Sequence, residues 1–246
     1  MKSRIALLAT ICFAVSAHAA HSPGLAPTGR VAMATTKASL ELPIIERLQD
    51  LRAQGAAGYK NLTAIMFDRS IAMQTRWKAV TAAGRVAGEA SRKDLEHALK
   101  SEEWFMRNAG LIAMLQLDRN EGLKWARKLM SDKALVVRSA AVDSIENARD
   151  TASTSLLWEK LYAKENFKRG QSLFIRRRIV EVLANMETPG RESKFVAVLG
   201  DKDSDLHAPA INALERLTHK KMGQPNEPVA FQKAKWEKWW KESRSL

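Results

Sequence analysis

Apolar residues recur at helical spacing from Leu40 onward, and five stretches repeat one pattern. Each is anchored by a basic residue, Arg76, Arg107, Arg138, Arg176 or His207, at intervals of 31, 31, 38 and 31 residues. The third, fourth and seventh residues after the anchors read Ala79/Val80/Ala83, Gly110/Leu111/Met114, Ala141/Val142/Ile145, Ile179/Val180/Leu183 and Ala210/Ile211/Leu214. On a helix of 3.6 residues per turn these positions share one stripe. A small residue at the third position lets a packed helix approach closely, and bulkier ones at the fourth and seventh fill the space between layers. A fixed period of this length predicts a repeat array in which each unit buries its apolar face against its neighbours. The expected fold class is therefore all-α, an α-solenoid of about five helical hairpins over residues 61–218.

The pattern divides each unit into two helices. First helices are expected at Leu62–Asp68, Arg92–Leu99, Arg119–Met130, Ser153–Ala163 and Glu192–Leu199. Second helices are expected at Ile71–Val86, Glu102–Leu117, Lys133–Asn147, Ser172–Met186 and Asp205–Leu217. Asp118 with Glu121, and Ser91 with Asp94, have capping-box spacing. Ser131 and Ser204 stand where a side-chain oxygen satisfies orphan amides, and Pro189 where a missing N–H costs nothing. A terminal repeat exposes an apolar face and needs a cap. Leu42, Ile45, Leu48 and Leu51 suit an N-terminal capping helix, and Trp236, Trp239 and Trp240 a Trp-rich closing helix over residues 228–243. Residues 20–39 are rich in Ala, Pro, Gly, Ser and Thr without apolar periodicity, and read as a flexible leader. The folded part is then residues 40–246.

The stretch from Asp132 to Ile145, D-x-x-x-x-V-R-x-x-A-x-x-x-I, resembles the second helix of HEAT repeats, particularly the short class in bilin-lyase-like proteins. Phe105/Met106/Arg107 and Phe174/Ile175/Arg176 keep the apolar-then-arginine step, while His207 departs from it. The resemblance implies HEAT-like hairpins, anchors that pair with acidic residues of an adjacent layer, and a binding scaffold. It is specific for fold and poor for function.

Residues 1–19 read as a secretory signal peptide: Lys2 and Arg4, an apolar run from Ile5 to Val15, then Ala17-His18-Ala19 as a cleavage site. An uncleaved amphipathic helix is the alternative. The run is too short to span a bilayer, so no transmembrane segment is expected in the mature chain, and the expected location is periplasmic or secreted. Cys12 is the single cysteine, so the mature chain has no disulfide and no thiolate metal site. The net charge of +13 falls to +11 without Lys2 and Arg4. Such a balance favours anionic partners, or only solubility.

Candidate chemistry concentrates in the one irregular interval. Residues 166–180 hold Lys168, Arg169, Arg176, Arg177 and Arg178 without an acidic residue. Insertions in repeat arrays map to loops on one face, often the binding face. Lys168, Arg169, Arg177 and Arg178 are the candidate binding residues, or else a solvated loop and helix edge. Trp77 beside Lys78 is a further candidate, an indole on a basic helix able to stack on a base, or else core filling. The arginine column is either a ladder for an anionic ligand or a set of interlayer pairs with Asp68, Glu102, Glu103, Asp132 and Asp201. No catalytic motif or metal-ligand spacing stands out, and no cofactor is expected. The leading expectation is a non-enzymatic scaffold binding an unidentified protein partner in the cell envelope. The alternative is an anionic polymer (cell-wall, lipid or nucleic acid) held by the patch around 168–178.

Overall fold

The computed structural model describes residues 29–224 and 226–244. These are overwhelmingly helical, an all-α protein with one two-stranded hairpin. The proposed signal peptide and residues 20–28 of the leader lie outside the described residues.

First helices are α3 (Gly55–Phe67), α5 (Arg92–Leu99), α7 (Arg119–Leu129), α9 (Thr154–Leu161) and α11 (Glu192–Leu199). Second helices are α4 (Met73–Ala87), α6 (Trp104–Leu117), α8 (Leu135–Asn147), α10 (Ile175–Met186) and α12 (His207–Thr218). Two helices, α1 (Gly29–Glu41) and α2 (Ile44–Ala53), precede them, and α13 (Val229–Ser243) follows. Each second helix packs on its own first helix, and the second helices pack in sequence: α4 on α6, α6 on α8, α8 on α10 and α10 on α12.

All fifteen residues of the repeated stripe are buried. Each fully buried large aliphatic among them contributes roughly 1.5–3 kcal/mol. Gly110 shows why the third position is small: a Cβ there would stand 3.0 Å from Leu99 Cγ and 3.1 Å from Leu99 N. Gly122 is tighter still, because a Cβ would meet Leu115 Cα at 2.7 Å as α7 crosses α6.

Several expectations change at the ends. Residues 29–39, expected as part of the leader, are helical, and α1 packs on α2, α3 and α4. Its packed face is mixed: Met33 and Leu40 join the core, while Thr36 donates to Gln54 Oε1 at 2.7 Å and Ser39 to Asp50 Oδ2 at 2.5 Å. Hydroxyls interleaved with so few apolar residues leave only a weak period. In α2, Leu48 and Leu51 are buried but Ile45 is 69% exposed. Strict three-residue spacing turns 60° per step around the helix, so four such positions cannot share one face. The closing helix α13 packs on α11 and α12, with Trp236 fully buried and its ring 5.3 Å from that of Trp239.

Capping chemistry is also mixed. Asp118 accepts from the Glu121 N–H at 3.1 Å as its spacing predicts. Ser91 does not cap; its hydroxyl donates to Gly88 O, and Asp94 instead accepts from Tyr59 Oη at 2.5 Å. Asp132 and Asp203, rather than Ser131 and Ser204, accept the N–H groups of Ala134 and Asp205. Pro189 lies in the turn after α10, outside the first turn of α11.

Candidate binding surface

The anchors form a series of contacts between successive units. All five are buried. Arg76 on α4 donates to Glu103 through both Nη atoms, at 2.8 and 2.5 Å, and through Nε to Met66 O at 3.0 Å. Arg107 on α6 reaches Asp132 at 2.5 and 2.6 Å and the Ser101 and Glu102 carbonyls at 2.8 Å each. Arg176 on α10 donates to Asp201 at 2.5 Å and to Leu161 O at 2.9 Å. His207, facing the Asp201 carbonyl at 2.9 Å, carries its proton on Nε2 to donate there. Each carboxylate sits in the turn before the next second helix. The Arg76 hydrogen bond holds the Glu103 carboxyl below its ordinary range. Burial pushes Asp201 upward, but hydrogen bonds from Arg176 and the Asp203 N–H outweigh it and hold the carboxyl low.

Arg138 on α8 differs. Its guanidinium meets Asn166 Oδ1 at 2.9 Å and the carbonyls of Asp132, Lys133 and Glu165 at 2.7, 3.3 and 2.6 Å. Among the described residues no carboxylate pairs with it, and burial pulls its pKa down, partly offset by the charges of Glu165 and Asp132. This neutral contact comes from the irregular interval. There the expected loop is a hairpin, β1 (Phe167–Lys168) paired antiparallel with β2 (Gln171–Ser172). Its turn residues Arg169 and Gly170 have φ of 52° and 78°, the left-handed pair of a type I′ turn.

The hairpin walls a cleft of about 650 Å³ against the turn before α12. The Arg176 guanidinium lies 4.5 Å from the Phe167 ring centroid and 5.3 Å from that of Tyr162. Burial, reinforced by the Asp201 charge, raises the Tyr162 phenol and keeps it neutral. Asp201, Lys202 and Asp203 close the other side. Opposed charges already satisfy one another here, so the cleft presents aromatic surface with little net field.

The candidate basic patch is divided. Lys168 and Arg169 are exposed on the hairpin and make no ion pair among the described residues. Arg177 pairs with Glu181 at 2.9 Å, while Arg178 pairs with Asp143 at 2.8 Å and with Glu146. These two line a separate small cleft with Ser139 and Phe174. In the helical half of the candidate patch over 168–178, acidic residues of α8 and α10 thus stand beside Arg177 and Arg178. Trp77 is half-buried, its Nε1–H donating to Asn108 Oδ1 at 3.2 Å, and Lys78 pairs with Glu41 at 2.5 Å. Among the described residues no acidic, histidine or cysteine cluster has metal-binding geometry, and no helix is long and apolar enough to cross a membrane.

One surface feature was not anticipated. Met73, Trp104, Val136 and Phe174 are 51%, 42%, 45% and 65% exposed. They occupy the starts of α4, α6, α8 and α10, two or three residues before each anchor. Because these helices pack in sequence, each of four successive units carries one such residue near the same helix end, Met73 and Trp104 three residues before the anchor and Val136 and Phe174 two. Alignment on the anchors does not reveal it, because these residues fall in two columns and Phe105, the counterpart of Val136 and Phe174, is buried. No protein-family model and no curated protein matches this sequence.

Proposed function

We propose that this chain is an exported, HEAT-like α-solenoid of about five hairpins that docks a protein partner in the cell envelope. The observation that carries the reading is the series of exposed apolar residues Met73, Trp104, Val136 and Phe174. Scattered exposed apolar residues are ordinary, but one in each of four successive units, two or three residues before the anchor, offers desolvation to a partner along their length. The sequential packing of α4 to α12 and the interlayer arginine contacts support the solenoid arrangement. Recognition of an anionic polymer loses support, since Arg177 and Arg178 are matched by carboxylates.

A photo-crosslinking residue in place of Phe174 tests the reading in cells that make the protein. Discrete protein adducts are expected there and not with the same residue at Lys93 or Glu192, which lie on first helices. Equal adducts at all three positions, or none at Phe174, contradict it.

A further inference from the structure

We infer that the cleft between the β1–β2 hairpin and the turn before α12 binds a neutral saccharide, with the Tyr162 ring as its stacking platform. None of the exposed apolar residues at the helix starts lines this cleft, so it stands whether or not a protein docks on them. The insertion that breaks the 31-residue period builds one wall. It departs from the repeat in two further ways: Arg138 meets Asn166 in place of a carboxylate, and Arg169 takes a left-handed backbone. Repeat arrays carry binding sites on such insertions, and local rules are broken most often where a site is built.

Charge sets the class of ligand. Four charged side chains line the cleft, Arg176 and Lys202 against Asp201 and Asp203, and they cancel. Lys168 and Arg169, on the same hairpin, do not line it. Arg176 is held by Asp201 at 2.5 Å, by Leu161 O at 2.9 Å and by Ser172 Oγ at 3.1 Å, so an anion would have to displace these partners. The two carboxylates would also repel a phosphate. A cation fares no better, because the Arg176 guanidinium already lies over the Phe167 and Tyr162 rings.

Uncommitted hydrogen-bonding groups then call for a polar, uncharged ligand. Tyr162 is 51% exposed, and its Oη has no hydrogen-bond partner among the described residues. Ser172 Oγ accepts from Arg176 and keeps its proton to donate. Asp203 Oδ1 accepts from the Asp205 N–H, while Oδ2 stands 3.8 Å from Arg176, too far for a hydrogen bond. The Gln171 amide is exposed. An apolar ligand would strip water from these groups and leave them unpaired. A pyranose satisfies both demands: its C–H face lies flat on an aromatic ring, and the hydroxyls around its rim donate and accept. The cleft, at about 650 Å³, has the size of a small-ligand site.

Isothermal titration calorimetry of the folded protein with cellotriose, triacetylchitotriose and maltotriose tests this, with a heparin tetrasaccharide and an oligothymidylate as charged comparisons. At least one trisaccharide is expected to bind with a Kd of about 10⁻⁵–10⁻³ M, unchanged at high salt. Tyr162→Ala should weaken that binding at least about tenfold and Gln171→Ala about threefold, at unchanged helicity. Lys93→Ala, on α5, should leave it as it was. Failure of all three trisaccharides to bind overturns the inference, as does full binding by Tyr162→Ala. Tighter binding of heparin or the oligonucleotide, falling steeply with salt, overturns it in favour of a polyanion. Should Tyr162→Ala lose helicity, Gln171→Ala decides alone, and wild-type affinity in that variant overturns the inference.

Discussion

The Arg107 and Arg138 junctions put the same residue in the same slot and satisfy it in different ways. At the first, a carboxylate meets the guanidinium with both partners buried. At the second, an amide and three carbonyls do so, in the segment lengthened by seven residues. A buried ion pair is a weak source of net stability but is costly to break, because one partner is left charged and dry. Dipoles hold a charge less strongly, and each can be lost separately. The comparison teaches that the interval between anchors can vary as long as something polar returns to the arginine.

The largest difference between the junctions should come from Asp132→Ala. It strands Arg107 and removes the acceptor for the Ala134 N–H, so a loss of about 3–5 kcal/mol is expected in denaturant unfolding. Asn166→Ala removes one acceptor of four from Arg138 and the donor to Lys160 O. Its expected cost is about 1–3 kcal/mol, and a cost equal to that of Asp132→Ala would erase the distinction.

Acid sharpens the comparison further. Glu103 and Asp201 have folded pKa values below their ordinary ones, so the unfolded chain takes up protons first as pH falls. Their contribution is whole above about pH 5 and erodes from about pH 4 downward. The Arg138 junction has no carboxylate to protonate. Denaturant midpoints measured across this window should fall with pH, and Glu103→Gln should flatten the slope where Asn166→Ala leaves it unchanged.

The smallest effect belongs to the hairpin turn. Arg169 sits at φ of 52°, a region where side chains other than Asn and Asp are strained. Arg169→Asn should raise stability by up to about 1 kcal/mol in thermal unfolding; a decrease would argue against the type I′ turn.

These elements also mark what was legible in the sequence. The buried stripe was readable because a 3.6-residue period reports one face directly, and Gly110 fitted its role. The packed face of α1 mixes Met33 and Leu40 with Thr36 and Ser39, which are held by Gln54 and Asp50, so its apolar period is weak. The hairpin was hidden by two-residue strands and by Arg-Gly in place of the usual Asn-Gly. The pairing within the basic patch was only partly legible: Glu181 lies four residues from Arg177, but Asp143 lies 35 residues from Arg178.

The central claim is that each anchor arginine ties its layer to the next, through a carboxylate at Asp132 and through dipoles at Asn166. A double-mutant cycle on Arg107 and Asp132, run beside one on Arg138 and Asn166, measures this directly. A coupling energy well above 0.5 kcal/mol is predicted for both pairs, larger for Arg107 with Asp132. Additive losses at Arg107 and Asp132, within about 0.3–0.5 kcal/mol, would contradict it.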